Sequence, residues 1–163
     1  MLRLAEILKL ISNDPLLSTA LALKGGTAIN LTIFNLPRLS IDIDLDYSRN
    51  NSKDEMMKDR ENITNILKRY MTAKNYELSE KSKTYHSLDS FVYTYTNSAG
   101  IRDNIKIEIN YSLRSHILPF VSKPIETSGI FGSFDVLSVA PIEIFAGKIV
   151  ALLTRTAARI YTT

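Results

Sequence analysis

Three aspartates stand at every second position in the stretch Ile41, Asp42, Ile43, Asp44, Leu45, Asp46. In an extended strand alternate side chains share a face, so the aspartates project from one side and Ile41, Ile43 and Leu45 from the other. Carboxylates spaced this way lie about 7 Å apart and raise one another's pKa. Aspartate is also depleted in strands. The plain reading is a half-exposed strand with a solvated acidic face. The chemical reading is a set of hard oxygen ligands for Mg²⁺, which takes one or two carboxylates and completes its shell with water and phosphate oxygens. The stretch from Asn104 to Tyr111 repeats the alternation, with Ile105, Ile107 and Ile109 on one face and Lys106, Glu108 and Asn110 on the other. It is either an ordinary strand with a polar outer face or, if it lies beside the first with both apolar faces on one core, the source of a third carboxylate, Glu108. A calcium loop is excluded. Asp42, Asp44 and Asp46 would take its first, third and fifth positions, but Tyr47 then replaces the required glycine and Lys53 the closing glutamate.

A second group of residues suits phosphate. Lys24, Gly25, Gly26 and Thr27 form a turn opening an amphipathic stretch. No Walker A spacing is present. Two glycines at a helix start still expose backbone N–H groups that can hold a phosphate, and Thr27 adds a hydroxyl. The same residues also make a plain turn and helix cap. Near the other end, Lys148, Arg155 and Arg159 are seven and four residues apart and share a helical face, while Ile142, Phe145, Ile149 and Leu153 fall largely on another. This is a solvated basic stripe or a cation set facing a triphosphate or RNA backbone.

The elements that must position these residues follow from periodicity. A helix is expected over about 3–12, and Asn13 or Asp14 then offers a second N-cap with Pro15 at the first helical position. A short apolar run leads into the glycine turn, and residues 35–40 form a loop before the aspartate strand. Met56, Ile63, Ile66, Leu67 and Tyr70 predict a helix over 55–73. Strand-like runs follow at about 76–84, 90–97 and 104–111, the last two forming a hairpin. The region holding Pro119, Pro124, Gly129 and Gly132 reads as loop. A strand over 134–139 and a helix from Pro141 close the chain. Helices flanking several strands predict an α/β or α+β fold with a mixed sheet.

Composition narrows the function classes. The 163 residues suit one domain, and 45 % are hydrophobic and 23 % charged, enough to build a core. With no cysteine, a disulfide frame and a thiolate zinc site are both impossible. His86 and His116 are the only histidines, a poor basis for an imidazole metal site. The net charge of +3 permits a polyanionic partner without requiring one. Arg3, Glu6 and Lys9 interrupt the apolar N-terminus, which therefore reads as an amphipathic helix and not as a membrane span or signal peptide. A cytoplasmic protein with no membrane partner is expected.

Taken together, a helix-opening Gly-Gly-Thr and a following strand with Asp-x-Asp resemble the DNA polymerase β-like nucleotidyltransferase superfamily. The longer run from Leu23 to Tyr47 looks specifically like the AbiEii/AbiGii-type toxins, the nucleotidyltransferase halves of bacterial abortive-infection and toxin–antitoxin systems. The run from Pro141 to Arg159 is similar to that family's lysine-bearing helix with arginines downstream. The resemblance implies a polymerase β-like fold and a single nucleotidyltransferase domain over residues 1–163. It implies that Gly26 and Thr27, within the turn formed by Lys24 and Gly25, grip the nucleotide's phosphates. Asp42 and Asp44 match the metal-binding pair, Glu108 sits where a third carboxylate is common, and Lys148 matches the lysine that contacts the triphosphate, with Arg155 and Arg159 beyond it. Asp46 is not required by the motif, and local structure is its expected role, through hydrogen bonds from the loop that follows.

The activity so implied transfers a nucleoside monophosphate from an NTP to an acceptor and releases pyrophosphate, with two Mg²⁺ ions bound alongside the NTP. Some members modify tRNA 3′ ends, others are described as GTP-binding, and the usual partner is a cognate antitoxin. One departure stands out: family members usually carry an aspartate after the last arginine, whereas Ile160 follows Arg159 here. Members also tend to continue into a C-terminal helical region, which this chain is expected to lack. The competing expectation is a non-catalytic member that only binds nucleotide or a partner protein. A plain RNA-binding module is disfavoured, because its sheet face would interleave basic and aromatic residues where aspartates stand.

Overall fold

A computed structural model describes residues 2–34, 42–112, 116–127 and 132–159. Helix α1 (Leu2–Asn13) buries Leu4, Ile7, Leu8 and Ile11, a stripe at helical spacing. Asp14 ends it, its carboxylate accepting from the N–H groups of Leu16 and Leu17 at the start of the short α2 (Leu17–Ala20). Strand β1 (Leu21–Lys24) runs straight into α3 (Gly25–Ile29), which widens into a π-helical segment over Asn30–Phe34. The loop expected over 35–40 and Ile41 lie outside the described residues. Strand β2 (Asp42–Tyr47) follows, then α4 (Lys53–Ala73).

The start of α4 is fixed locally. The Ser52 hydroxyl accepts from the Glu55 N–H, and the Glu55 carboxylate accepts in return from the Ser52 N–H, a reciprocal cap that satisfies two end donors. Met56, Arg60, Ile63, Leu67 and Met71 then make one buried stripe. Ile63, Leu67 and Met71 are fully covered, each contributing roughly 1.5–3 kcal/mol relative to exposure.

The remaining strands are β3 (Glu77–Leu78), β4 (Lys83–Thr84), β5 (Leu88–Thr96), β6 (Arg102–Asn110), β7 (Val121–Thr127) and β8 (Gly132–Ser138), followed by α5 (Pro141–Arg159). They form one mixed sheet in the order β3-β5-β6-β2-β1-β8-β7, with β4 beside β3 on the same edge of β5. The single run expected over 76–84 is thus two short strands, because the chain turns between them with Ser82 N–H bonded to the Ser79 carbonyl. The β5–β6 hairpin is as expected. Strand β7, by contrast, occupies much of the region read as loop. Pro124 sits in it without disruption because β7 is an edge strand, where one row of N–H groups has no ladder partner to lose.

One face of the sheet is the core side, where Ile43, Leu45 and Tyr47 of β2, Ile105, Ile107 and Ile109 of β6, and Phe91 and Tyr93 of β5 join a single buried cluster with residues of α1 and α4. The apolar partners in the alternation therefore do what period two predicts, and the polar set faces the other way. Two connections then shape that polar face. Strands β1 and β8 are parallel, tied by the Ser138 hydroxyl and the Val139 N–H, both donating to the Leu23 carbonyl. Each ends in a helix at the same edge, β1 in α3 and β8 in α5. Pro141, with its fixed φ and no N–H to lose, suits the first turn of α5. Among the described residues no helix is long and apolar enough to cross a membrane.

Candidate active site

The site is built from one lateral row. Register pairs Lys24 of β1 with Asp44 of β2, Asp44 with Glu108 of β6, and Glu108 with Ser90 of β5. Directly paired residues share a face, so Lys24, Asp44, Glu108 and Ser90 stand side by side across four strands. One step along, Asp42 pairs with Lys106. Asp42, Asp44 and Glu108 are therefore brought onto one face, Asp42 and Asp44 by the alternation of β2 and Glu108 by the parallel β2–β6 pairing. Within β6, Lys106 and Glu108 share this face at i and i+2, and the Lys106 ammonium binds the Glu108 carboxylate at 2.7 Å. Among the described residues no group of three or more histidine, aspartate or glutamate side chains is placed to hold a metal ion by itself.

Exposure falls along β2. Asp42 is exposed, Asp44 half-buried, and Asp46 only 2 % exposed. Burial, the Glu108 charge and the Asp42 charge together push the Asp44 carboxyl above its usual range, against the pull of Lys24 and Lys106. Such a group gains from a nearby cation. The donor set is all carboxylate oxygen, which suits Mg²⁺ supplied with further oxygens by a phosphate ligand.

The glycine turn meets this row closely. Gly25 has φ +70°, and a Cβ there would lie 2.2 Å from Asp44 Oδ2. Only a residue with no side chain lets the backbone lie against that carboxylate. At Gly26 a Cβ would have Lys148 Nζ 3.9 Å away, so the α5 ammonium stands over the bare backbone of the turn. Thr27 is buried, and its hydroxyl donates to the Asp42 carbonyl at 2.6 Å, fastening α3 to the start of β2. The structure thus gathers Gly25, Gly26, Asp44 and Lys148 at one point, with Asp42 and Glu108 on the flank. In α5, Arg155 and Arg159 continue the helix, but their side chains lie outside the described residues.

Asp46 has a different use from its neighbours. Its Oδ1 binds Lys24 Nζ at 2.5 Å, and its Oδ2 faces His116 Nε2 at 3.5 Å. The His116 Nδ1 lies 2.9 Å from Glu143 Oε1 at the first turn of α5. The His116 side chain is itself largely covered, its ring edge against Phe120, and its Nε2 makes no hydrogen bond. A chain of polar side chains, Lys24, Asp46, His116 and Glu143, thus runs from the glycine turn through β2 to α5. Burial and the Glu143 charge push the Asp46 carboxyl up, while Lys24 and His116 oppose them. Asp46 serves local structure, as the sequence suggests, but its partner is the lysine of the preceding motif and not the loop that follows. Lys24, expected near phosphate, has its ammonium committed to this pair.

These groups line a cleft of about 690 Å³, with Lys24, Gly25, Asp46, His116, Glu143 and Lys148 as its polar wall. Ile144, Gly147 and Ala151 carry α5 along it, spaced at one helical turn. Among the described residues the buried contact of α5 is made by Ile144, whereas Ile142, Phe145, Ile149 and Leu153 of the expected apolar face are exposed. Sequence reading misses His116 and Glu143. A lone histidine in a loop carries no spacing signal, and only the fold sets it against Asp46.

A model of the family described as "Nucleotidyl transferase AbiEii toxin, Type IV TA system" matches residues 8–160. No curated protein and no solved structure matches the chain.

Proposed function

The chain belongs to the AbiEii nucleotidyl transferase toxin family of type IV toxin–antitoxin systems, and on that premise we propose that it transfers a nucleoside monophosphate from an NTP to an RNA acceptor, with Mg²⁺ held by Asp42, Asp44 and Glu108. The observation that carries this reading is the Asp44 carboxylate lying flush against the Gly25 backbone, with Lys148 over Gly26. A triphosphate in that cleft would rest on bare backbone, face an ammonium, and meet the carboxylate row at its edge. The mixed sheet and the helix-opening glycine pair beside the aspartate strand support assignment to the polymerase β-like nucleotidyltransferase fold.

In the proposed reaction an acceptor hydroxyl oxygen bonds to the α-phosphorus, the α–β bridging P–O bond breaks, and pyrophosphate leaves with the charge of that bond. The acceptor proton passes to solvent. Bound Mg²⁺ would supply charge neutralisation on the phosphates and lower the pKa of the attacking hydroxyl. Gly25 and Gly26 let the phosphates approach the main chain. Lys148 offsets charge developing on the leaving pyrophosphate, and Arg155 and Arg159, further along the same helix, extend that role. Lys24 and Asp46 hold the glycine turn to β2, and Glu143 with His116 holds α5 in place above it. Such a chain works in the cytoplasm with a cognate antitoxin as its partner and serves abortive infection, a phage defence; tRNA 3′ ends are the acceptor class proposed.

The test is incubation with Mg²⁺, labelled NTPs and total RNA. Wild type should label RNA, and Asp44→Asn should lower the rate by a factor of at least 100 or so. Label transfer that survives Asp42→Ala and Asp44→Asn sinks the assignment. A second reading, nucleotide binding without transfer, is favoured by one observation: Lys106 already engages Glu108, which leaves two carboxylates. Calorimetric NTP binding with no label on any RNA would select it.

A further inference from the structure

A second hollow adjoins the carboxylate row on the side away from Lys148. Its volume is about 640 Å³, and Lys81, Lys83, Tyr85, Ser90, Lys106 and Glu108 line it. Lys83 and Tyr85, two residues apart around β4, share a face, and Lys81, in the turn just before the strand, joins them on the wall of the hollow. Register extends the row described above by one strand, because Lys83 pairs with Ser90, Ser90 with Glu108, and Glu108 with Asp44. Three strand spacings of about 4.8 Å put Lys83 roughly 14 Å from Asp44 along a continuous polar track.

The lining is chemically one-sided. It has three lysines against one carboxylate, and the carboxylate is the one already bound by Lys106. Among the described residues Lys81 and Lys83 enter no ion pair, and Tyr85 is 51 % exposed beside them. The wall is also held firm from behind. Buried Arg60 of α4 donates to the Tyr85 carbonyl at 2.6 Å and the His86 carbonyl at 2.8 Å, and grips Asp89 with two hydrogen bonds. The tyrosine therefore projects from an anchored main chain.

Cations for phosphates interleaved with an exposed aromatic for a base are the features of a single-stranded nucleic acid track. We propose that this groove seats the single-stranded end of the RNA acceptor, its backbone on Lys81 and Lys83, a base on Tyr85, and its terminal hydroxyl led past Ser90 to the carboxylates. The proposal rests on the transferase reading for the identity of the ligand, since the NTP takes the opposite flank of Asp44.

The experiment is fluorescence anisotropy of a labelled single-stranded oligoribonucleotide, titrated with the full chain at several salt concentrations, beside the label-transfer assay. Lys81→Gln/Lys83→Gln should weaken RNA binding at least tenfold. It should also make the slope of log affinity against log salt shallower by about 1.4, roughly 0.7 for each phosphate that no longer meets a lysine. Tyr85→Ala should lose about tenfold, and Tyr85→Phe should keep wild-type affinity because stacking needs the ring and not the hydroxyl. All three positions are exposed, so thermal midpoints should match wild type. Unchanged RNA binding by the double variant overturns the proposal, including the case in which the variant loses a protein partner instead. If wild type labels no RNA while the double variant still loses RNA affinity, the groove stands and the transferase reading falls.

Discussion

Gly25 is the residue on which the site turns. Its φ of +70° strains any L side chain, and a Cβ would strike Asp44 Oδ2. Gly25→Ala is expected to cost about 1–3 kcal/mol in urea unfolding, and to push Asp44 out of line so that label transfer falls with it. A variant as stable as wild type would show the turn to be less constrained than its geometry. Tyr93 offers a test in the core. Its hydroxyl is buried without a hydrogen-bond partner, and burial pushes its pKa up to about 12. Unfolded tyrosine gives up its proton near the ordinary 10.0, so the contribution of Tyr93 to stability is whole below that pH and is lost as pH rises toward 12. Tyr93→Phe should therefore be neutral or stabilising at pH 7, and should flatten the alkaline fall in stability seen in chemical unfolding at stepped pH. At this scale much is legible in the sequence. Alternation alone puts Asp42 and Asp44 opposite Ile43 and Leu45, and places Glu108 opposite Ile107. It does not show that Asp46 is covered by His116 and bound to Lys24, because that depends on a loop and a strand distant in sequence.

Elements carry the site as brackets. Helix α4 shows this most directly, since its buried cation, Arg60, holds Asp89 and two carbonyls of the β4–β5 turn. Arg60→Ala strands a buried carboxylate and frees that turn, at an expected cost of about 3–5 kcal/mol. Faster hydrogen exchange should appear at Tyr85 and Leu88, and exchange unchanged there would remove Arg60 from any role in shaping the groove. The helical stripe of α4 is plain in the sequence, but a charged residue within it reads as a surface position until Asp89 supplies its partner. Strand β7 is hidden for the opposite reason. Pro124 marks a loop by local rules, and only its place at the edge of the sheet makes it a strand residue. The buried side of α5 is equally hidden: Ile144 is covered because β8, paired with β1, delivers the helix beside α3, an arrangement that no periodicity within α5 encodes.

For the whole molecule the decisive connection is the parallel pairing of β2 with β6. Parallel neighbours need a long crossover, and here it contains α4, β3, β4 and β5. Contacts so separated in sequence form late, because loop closure is costly before they exist. In refolding from urea, helical far-ultraviolet signal should recover before β2 and β6 amides gain exchange protection; simultaneous recovery would contradict this order. Periodicity predicts the mixed α/β character, yet not the strand order, since nothing within β2 or β6 names its neighbour. The same layout has a consequence during translation. A growing chain that has left the ribosome only through β5 carries Lys24, Asp42 and Asp44 but neither Glu108 nor Lys148. The parts of the proposed site that deal with charge arrive separately, and Lys148 comes only with α5. A cell making such a chain meets no assembled site until α5 has been made, which leaves that interval for a partner to reach the unfinished protein first.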